Sequence, residues 1–265
     1  MSFDTIAVLG LGIIGSRVAS HLGKAAQVKT WNRTPKGLPD EASSVEDAIA
    51  DADLVCLYLK DAPATREVAA RIFAAPSRER VLVNHATIDL PTTRWLAEEC
   101  AARGIGFLDC PFTGSREAAA AGALVYYAGG PEDLIDRVEP ILLRSGKSVL
   151  RCGATGTATI MKLVTNLISA CTVQALAESL ATATRHGISP EALTHAVSLN
   201  ACGEMPWLVA VARDSASACT VQAEIKLVTS FMMVAVPVAP QRSTDLPERR
   251  STGSTRSISS SGPPA

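Results

Sequence analysis

The chain has 265 residues, room for about two domains at roughly 100–200 residues each. It is 47% hydrophobic but only 4% aromatic, so its core must be filled mostly by Ala, Val, Leu and Ile, and a net charge of −1 offers no global field for nucleic acid or an anionic membrane. Seven cysteines, an odd number with no C-x-x-C pair, argue against a disulfide framework or a bound metal and for buried reduced thiols.

In chain order, strands are expected at 5–9, 28–31, 54–58, 81–84, 106–109 and 124–128, separated by helices at 16–24, 45–50, 65–73, 92–103 and 131–144. This alternation predicts a parallel, doubly wound sheet with helices on both faces, over a first domain at 1–152. Continuous apolar strands such as Leu54-Val55-Cys56-Leu57 suit a sheet covered on both sides. The first strand starts close to Met1 with no basic n-region before it. The apolar run at 231–238 is interrupted by Pro237 and falls far short of the ~20 residues of a membrane span. A soluble, cytoplasmic protein is expected.

The first strand runs straight into Gly10-Leu11-Gly12-Ile13-Ile14-Gly15 and then into a helix. In that setting Gly10 permits the tight turn, Gly12 lets the backbone approach a diphosphate, and Gly15 lets the helix pack close to the sheet. Free N–H groups and the helix dipole favour the anion there. A site built for NAD usually has Asp or Glu about 20 residues on, at the ribose; this chain has Asn32-Arg33-Thr34. Arg33 suits a charge-assisted contact with a 2′-phosphate, and Thr34 adds a hydroxyl. The expected cofactor is therefore NADP(H), with NAD as the alternative.

Past residue 150 the pattern changes. Thr157 to Arg185 carries apolar residues nearly all the way round, so a buried helix is expected. Gly187 stops it, and Ser189-Pro190-Glu191 reads as the N-cap, N1 proline and early acid of another helix. An all-helical second domain is expected at 153–236. The Pro/Ser/Thr/Arg-rich end at 237–265 cannot bury enough apolar surface to offset its ordering entropy and is expected to be disordered.

Three further segments carry chemistry. Asp109-Cys110-Pro111-Phe112-Thr113-Gly114-Ser115, with Gly122-Ala123-Leu124, is similar to D-x-P-x-S-G-G…G-x-L. Cys152-Gly153-Ala154-Thr155-Gly156, with Lys162 and Asn166, is similar to G-x-x-G…K-x-x-x-N, and Asn84-His85-Ala86-Thr87-Ile88-Asp89 to D-M-S-T-I. Together with the glycine fingerprint, these motifs resemble the β-hydroxyacid dehydrogenases, over roughly residues 5–193. The resemblance implies an oxidoreductase that moves hydride between a nicotinamide cofactor and a small β-hydroxy acid or its semialdehyde. Lys162 would be the general acid/base, Thr113, Gly114, Ser115 and Asn166 the substrate contacts, and Leu59 and Thr87 cofactor neighbours. It also implies a homodimer or tetramer formed through the helical domain.

The residues support that chemistry in their own right. On an apolar helix Lys162 should lose basicity by desolvation, which suits proton transfer to a carbonyl oxygen. Asn166, four residues on, shares its helix face. The turn at 113–115 can present N–H groups and hydroxyls to a carboxylate. His85, where the family has an apolar residue, is read as incidental. Thr113 and Ser115 stand for the usual Ser and Gly, Ala158 for a glycine, and Lys60 where Leu-Pro is common. The family's later Lys-Asp-Leu segment has no counterpart here, and an incomplete helical domain would expose apolar surface on the long helix. Two other readings stay open: an imine reductase on the same scaffold, which Lys162 opposes, and a non-catalytic NADP-binding relic.

Overall fold

The computed structural model describes residues 3–199, apart from 39 and 77. The expected tail at 237–265, and the second domain from residue 200 on, lie outside the described residues. Within them the strands are β1 (Thr5–Leu9), β2 (Gln27–Trp31), β3 (Leu54–Leu57), β4 (Val81–Asn84), β5 (Gly106–Asp109), β6 (Phe112–Thr113), β7 (Leu124–Gly129) and β8 (Gly146–Gly153). The helices are α1 (Gly15–Leu22), α2 (Val45–Ile49), α3 (Ala62–Ala74), α4 (Leu90–Ala101), α5 (Arg116–Ala120), α6 (Glu132–Leu142), α7 (Thr157–Arg185) and α8 (Pro190–Ser198).

The sheet runs β2-β1-β3-β4-β5-β7-β6, with β8 beside β7. Neighbours from β2 to β5 are parallel, as the alternation of strand and helix requires. The far end corrects the all-parallel expectation, because β7 is antiparallel to both β5 and β6. After Cys110-Pro111, β6 resumes the line of β5 in the same register against β7. The chain then turns back through α5, a helix of five residues, shorter than the crossover that a parallel neighbour needs. A full helix, α6, precedes β8, and β8 pairs parallel to β7.

Alternation along β1 divides the core. Ile6 and Val8 point to the side covered by α1 and α6, where Val18, Leu22, Ile135 and Val138 meet them. Ala7 and Leu9 point to α2, α3 and α4, meeting Ile49, Val68, Ile72 and Leu96. Each fully buried Leu, Ile or Val on these faces stabilises the fold by about 1.5–3 kcal/mol. Cys56, Cys100 and Cys110 are buried as expected, and burial pushes the Cys56 thiol up to about 12.

The second half is less enclosed. Ser189 caps α8 through the Ala192 N–H, with Pro190 in its first turn, as read from sequence. α7 begins and ends where the apolar pattern places it, but it is not buried all round. Ala158, Thr159, Ala170, Val173 and Leu176 face inward, whereas Ile160, Met161, Val164, Leu167 and Ile168 are 41–62% exposed and Cys171 is exposed. One side of the helix packs against β7 and β8, and only that stripe is covered among the described residues. By length and composition alone α7 could also cross a bilayer.

Candidate active site

The parallel strands β1, β3, β4 and β5 all end at one edge of the sheet, at Leu9, Leu57, Asn84 and Asp109. β1 lies between β2 and β3, so the strand order reverses there, and the crevice outside β1 and β3 is where such sheets bind ligands. The glycine loop fills this position. Gly10 has φ +104°, and a Cβ on it would run into the carbonyl of Tyr58 and lie 3.2 Å from Leu59 Cδ2. A Cβ on Gly15 would run into the Gly10 carbonyl. Both positions require glycine for the fold itself. Gly12 is different, since a Cβ there would meet nothing within 4 Å.

Asn32 ties the loop to the end of β2. Its Oδ1 accepts from the Leu11 N–H at 2.9 Å and its Nδ2 donates to the Thr34 carbonyl at 2.7 Å. The amides of Gly12, Ile13 and Ile14 have no partner among the described residues, and Ile14, at the N-cap of α1, supplies no side-chain cap. An open backbone cradle facing an uncapped helix start fits the diphosphate of a dinucleotide. Arg33 and Thr34 are exposed beside it. Arg33 donates to Glu67 of α3 at 2.6 Å.

Tyr58 links this loop to the 113–115 turn. Its Cβ would stand 3.0 Å from a Cβ on Gly15, and its ring lies 5.9 Å from that of Phe112, the residue before Thr113. Gly114 has φ +135°, and a Cβ there would press on Leu124 at 2.8 Å. Ser115 Oγ accepts from the Ala118 N–H and caps α5, so its hydroxyl already has a structural task.

Asp109, quoted in the motif but given no role there, organises the other side of the site. It is fully buried, and it accepts from the Thr159 N–H and the Thr159 hydroxyl, both at 2.7 Å. These bonds cap α7 from outside, because its own cap residue is Gly156. Burial raises the Asp109 carboxyl to about 6, against the lowering effect of these hydrogen bonds. Gly156 sits against Leu90, the first residue of α4, so the start of α7 lies against the end of β5 and the start of α4.

Lys162 follows Thr159 by three residues and Asn166 follows Lys162 by four, which puts all three on one stripe of α7. Lys162 is half-buried, and desolvation lowers its pKa. Its ammonium has no hydrogen bond or ion pair among the described residues, and the two side chains are not bonded to each other. Thr87 and Leu59 are half-buried at the ends of β4 and β3. His85, the residue after β4, is buried and stacked on Tyr58 at 4.4 Å. Its Nδ1 donates to the Cys110 carbonyl at 2.7 Å, and its Nε2 is buried without a partner.

A cavity of about 680 Å³ opens at the opposite edge of the sheet, among Asp53, Arg78, Arg80 and Arg137. Two of its arginines have structural partners. Arg78 and Arg80 donate to the Ala50 and Ile49 carbonyls at the end of α2, and Arg78 also pairs with Asp53 at 2.8 Å.

Residues 5–156, more than half of the chain, match the family described as the NAD binding domain of 6-phosphogluconate dehydrogenase. The chain belongs to the β-hydroxyacid dehydrogenase family. Among curated relatives of this family, it is 32% identical over 209 residues to glyoxylate/succinic semialdehyde reductase 2, chloroplastic, of Arabidopsis thaliana; that match covers 74% of this chain and 58% of the relative. It is 28% identical to the 3-hydroxyisobutyrate dehydrogenase of Pseudomonas aeruginosa, over 76% of this chain and 74% of that one. Among solved structures, a Mycobacterium tuberculosis 3-hydroxyisobutyrate dehydrogenase with L-serine superposes with a TM-score of 0.70 at 26% identity, covering 76% of this chain and 72% of that chain. A Streptomyces aurantiacus imine reductase shares the fold, with a TM-score of 0.68 at 24% identity over 80% of this chain and 78% of that chain.

Proposed function

We propose that the protein is an NADP(H)-preferring oxidoreductase that interconverts a small β-hydroxy acid and its semialdehyde or keto acid, with Lys162 as general acid/base. The observation that carries this reading is Lys162 itself. It is a half-buried, unpaired lysine with lowered basicity, on a helix that Asp109 fastens to the sheet edge holding the glycine loop. Membership of the family and the named activities of the relatives point the same way.

A bound nicotinamide cofactor supplies or accepts the hydride. The chain's own residues bind, orient and protonate. Amides of residues 12–15 hold the diphosphate, and Arg33 and Thr34 take the 2′-phosphate, where an NAD site would carry an acid. The 113–115 turn holds the substrate carboxylate through backbone N–H groups and the Thr113 hydroxyl, because Ser115 Oγ is engaged as a cap. Lys162 Nζ delivers a proton to the carbonyl oxygen during reduction and takes it back during oxidation, and its desolvation brings that exchange closer to working pH. Asn166 and Thr87 orient the reacting groups. The exposed apolar stripe of α7 supports pairing of copies through this helix.

The test is NADPH oxidation across a panel of semialdehydes, for wild type and Lys162→Ala. The variant should lose about 10²–10⁴-fold in kcat, the range for a general acid, and bind NADPH as wild type does. Turnover that survives in Lys162→Ala ends the case for this lysine. A preference of the wild type for NADH ends the case for NADP(H).

A further inference from the structure

Glu67 lies on α3, and its carboxylate reaches across to Arg33 beyond the end of β2. The pair is short, 2.6 Å, yet both side chains are 59% exposed. Solvent-screened pairs of this kind are weak and easily exchanged. One helical turn on, Arg71 also feels the Glu67 charge, while it is held by Glu46 through contacts of 2.8 and 2.6 Å. Arg33 therefore has a partner already, and that partner has a second cation within one turn of its own helix.

We propose that Glu67 is a specificity-determining residue that sets the balance between NADP(H) and NAD(H). The inference rests on the reading of Arg33 as the contact for a 2′-phosphate. With an unphosphorylated ribose, Glu67 stays on Arg33, and no bare guanidinium faces the sugar. A 2′-phosphate, which carries more negative charge than a carboxylate, displaces Glu67 from Arg33. Arg71 then lessens the cost of that release, but the carboxylate remains close to the incoming phosphate. Glu67 thus holds NADP(H) affinity down and leaves NAD(H) affinity largely untouched, so the site discriminates less than Asn32-Arg33-Thr34 alone would suggest.

Fluorescence titrations with NADPH and NADH test this in wild type, Glu67→Gln, Arg33→Gln and the double variant. Glu67→Gln should bind NADPH about three- to fivefold more tightly, the scale of one exposed ion pair, with NADH binding unchanged. Arg33→Gln should weaken NADPH selectively, and on that background Glu67→Gln should gain less than it does alone, since only the direct repulsion between carboxylate and phosphate is left to relieve. The gain in Glu67→Gln should shrink as salt is added. NADPH binding that is unchanged or weaker in Glu67→Gln, while Arg33→Gln still weakens it, overturns the role of Glu67 and leaves the phosphate contact standing. NADPH binding that ignores Arg33→Gln overturns the phosphate contact, and the role of Glu67 with it.

Discussion

α1 and α7 both start without a side-chain cap, on Ile14 and Gly156. Around them α2, α3, α4, α5 and α8 start on Ser44, Asp61, Asp89, Ser115 and Ser189, each accepting a backbone N–H three residues on. α6, which starts on Pro131, has Glu132 and Asp133 in its first turn and so repels anions. At α7 a buried carboxylate from β5 makes up the deficit. At α1 nothing among the described residues does, and Gly12 faces open space. The same shortage of hydrogen-bond acceptors is met from within at one helix start and left open at the other. The closed start fixes the position of Lys162; the open one is free for a diphosphate.

The largest expected effects separate the glycines of the open start. Gly10→Ala puts a methyl into the Tyr58 carbonyl at φ +104° and should cost about 3–5 kcal/mol of stability. Gly12→Ala adds the same methyl where the protein has no atom within 4 Å. Urea denaturation should find it within about 1 kcal/mol of wild type, while NADPH titration finds its affinity strongly reduced. A Gly12→Ala protein that binds NADPH normally would mean that no diphosphate lies over that residue.

The closed start breaks at Asp109. Asp109→Ala leaves the Thr159 N–H without its buried acceptor, while the hydroxyl keeps Thr93 Oγ1 at 3.0 Å, and should cost about 1–3 kcal/mol. Because α7 carries Lys162, kcat should fall further than the unfolded fraction explains, with NADPH affinity retained. Asp109→Asn keeps an acceptor oxygen and should be milder on both counts. If Asp109→Ala is as stable as wild type, the start of α7 is held by something else.

The open start was legible in the sequence and the closed one only in part. The glycine spacing, β1 to β5 and the span of α7 all follow from local pattern, because each depends on alternation or turn chemistry within a few residues. β6 has two residues and α5 has five, too few to show a period. β8 was missed because Lys147, Ser148 and Arg151 interrupt its apolar run. The bond from Asp109 to Thr159 spans 50 positions, and the pairing of Arg33 with Glu67 spans 34; neither leaves a local signature. The antiparallel turn at β7 is likewise set by the length of its connection, and the outer face of α7 is exposed because apolar residues all round a helix do not say which of them will be covered.

His85 joins the two starts and sharpens the contrast between them. Its ring stacks on Tyr58, which walls the glycine loop, and its Nδ1 donates to Cys110, the neighbour of Asp109. Burial lowers its pKa from 6.5 to about 3, so the folded protein holds it neutral with an orphaned Nε2 lone pair. A depressed basic group adds stability that is complete above pH 6.5 and lost as pH falls toward 3, by about 1.4 kcal/mol per unit. Asp109, raised from 3.8 to about 6, acts in the opposite sense: its contribution is complete below pH 3.8 and lost as pH rises through 6. Between those limits the two slopes largely cancel in wild type. His85→Met removes one of them; it exchanges the orphaned Nε2 for an orphaned Cys110 carbonyl and should stay within about 1 kcal/mol of wild type at pH 7. Relative to wild type the variant should gain about 1.4 kcal/mol for each pH unit below 6.5, as read from urea midpoints between pH 7 and pH 4.5. A constant difference across that range would mean that His85 takes up its proton as readily in the folded chain as in the unfolded one, and that the core between the two helix starts is open to water.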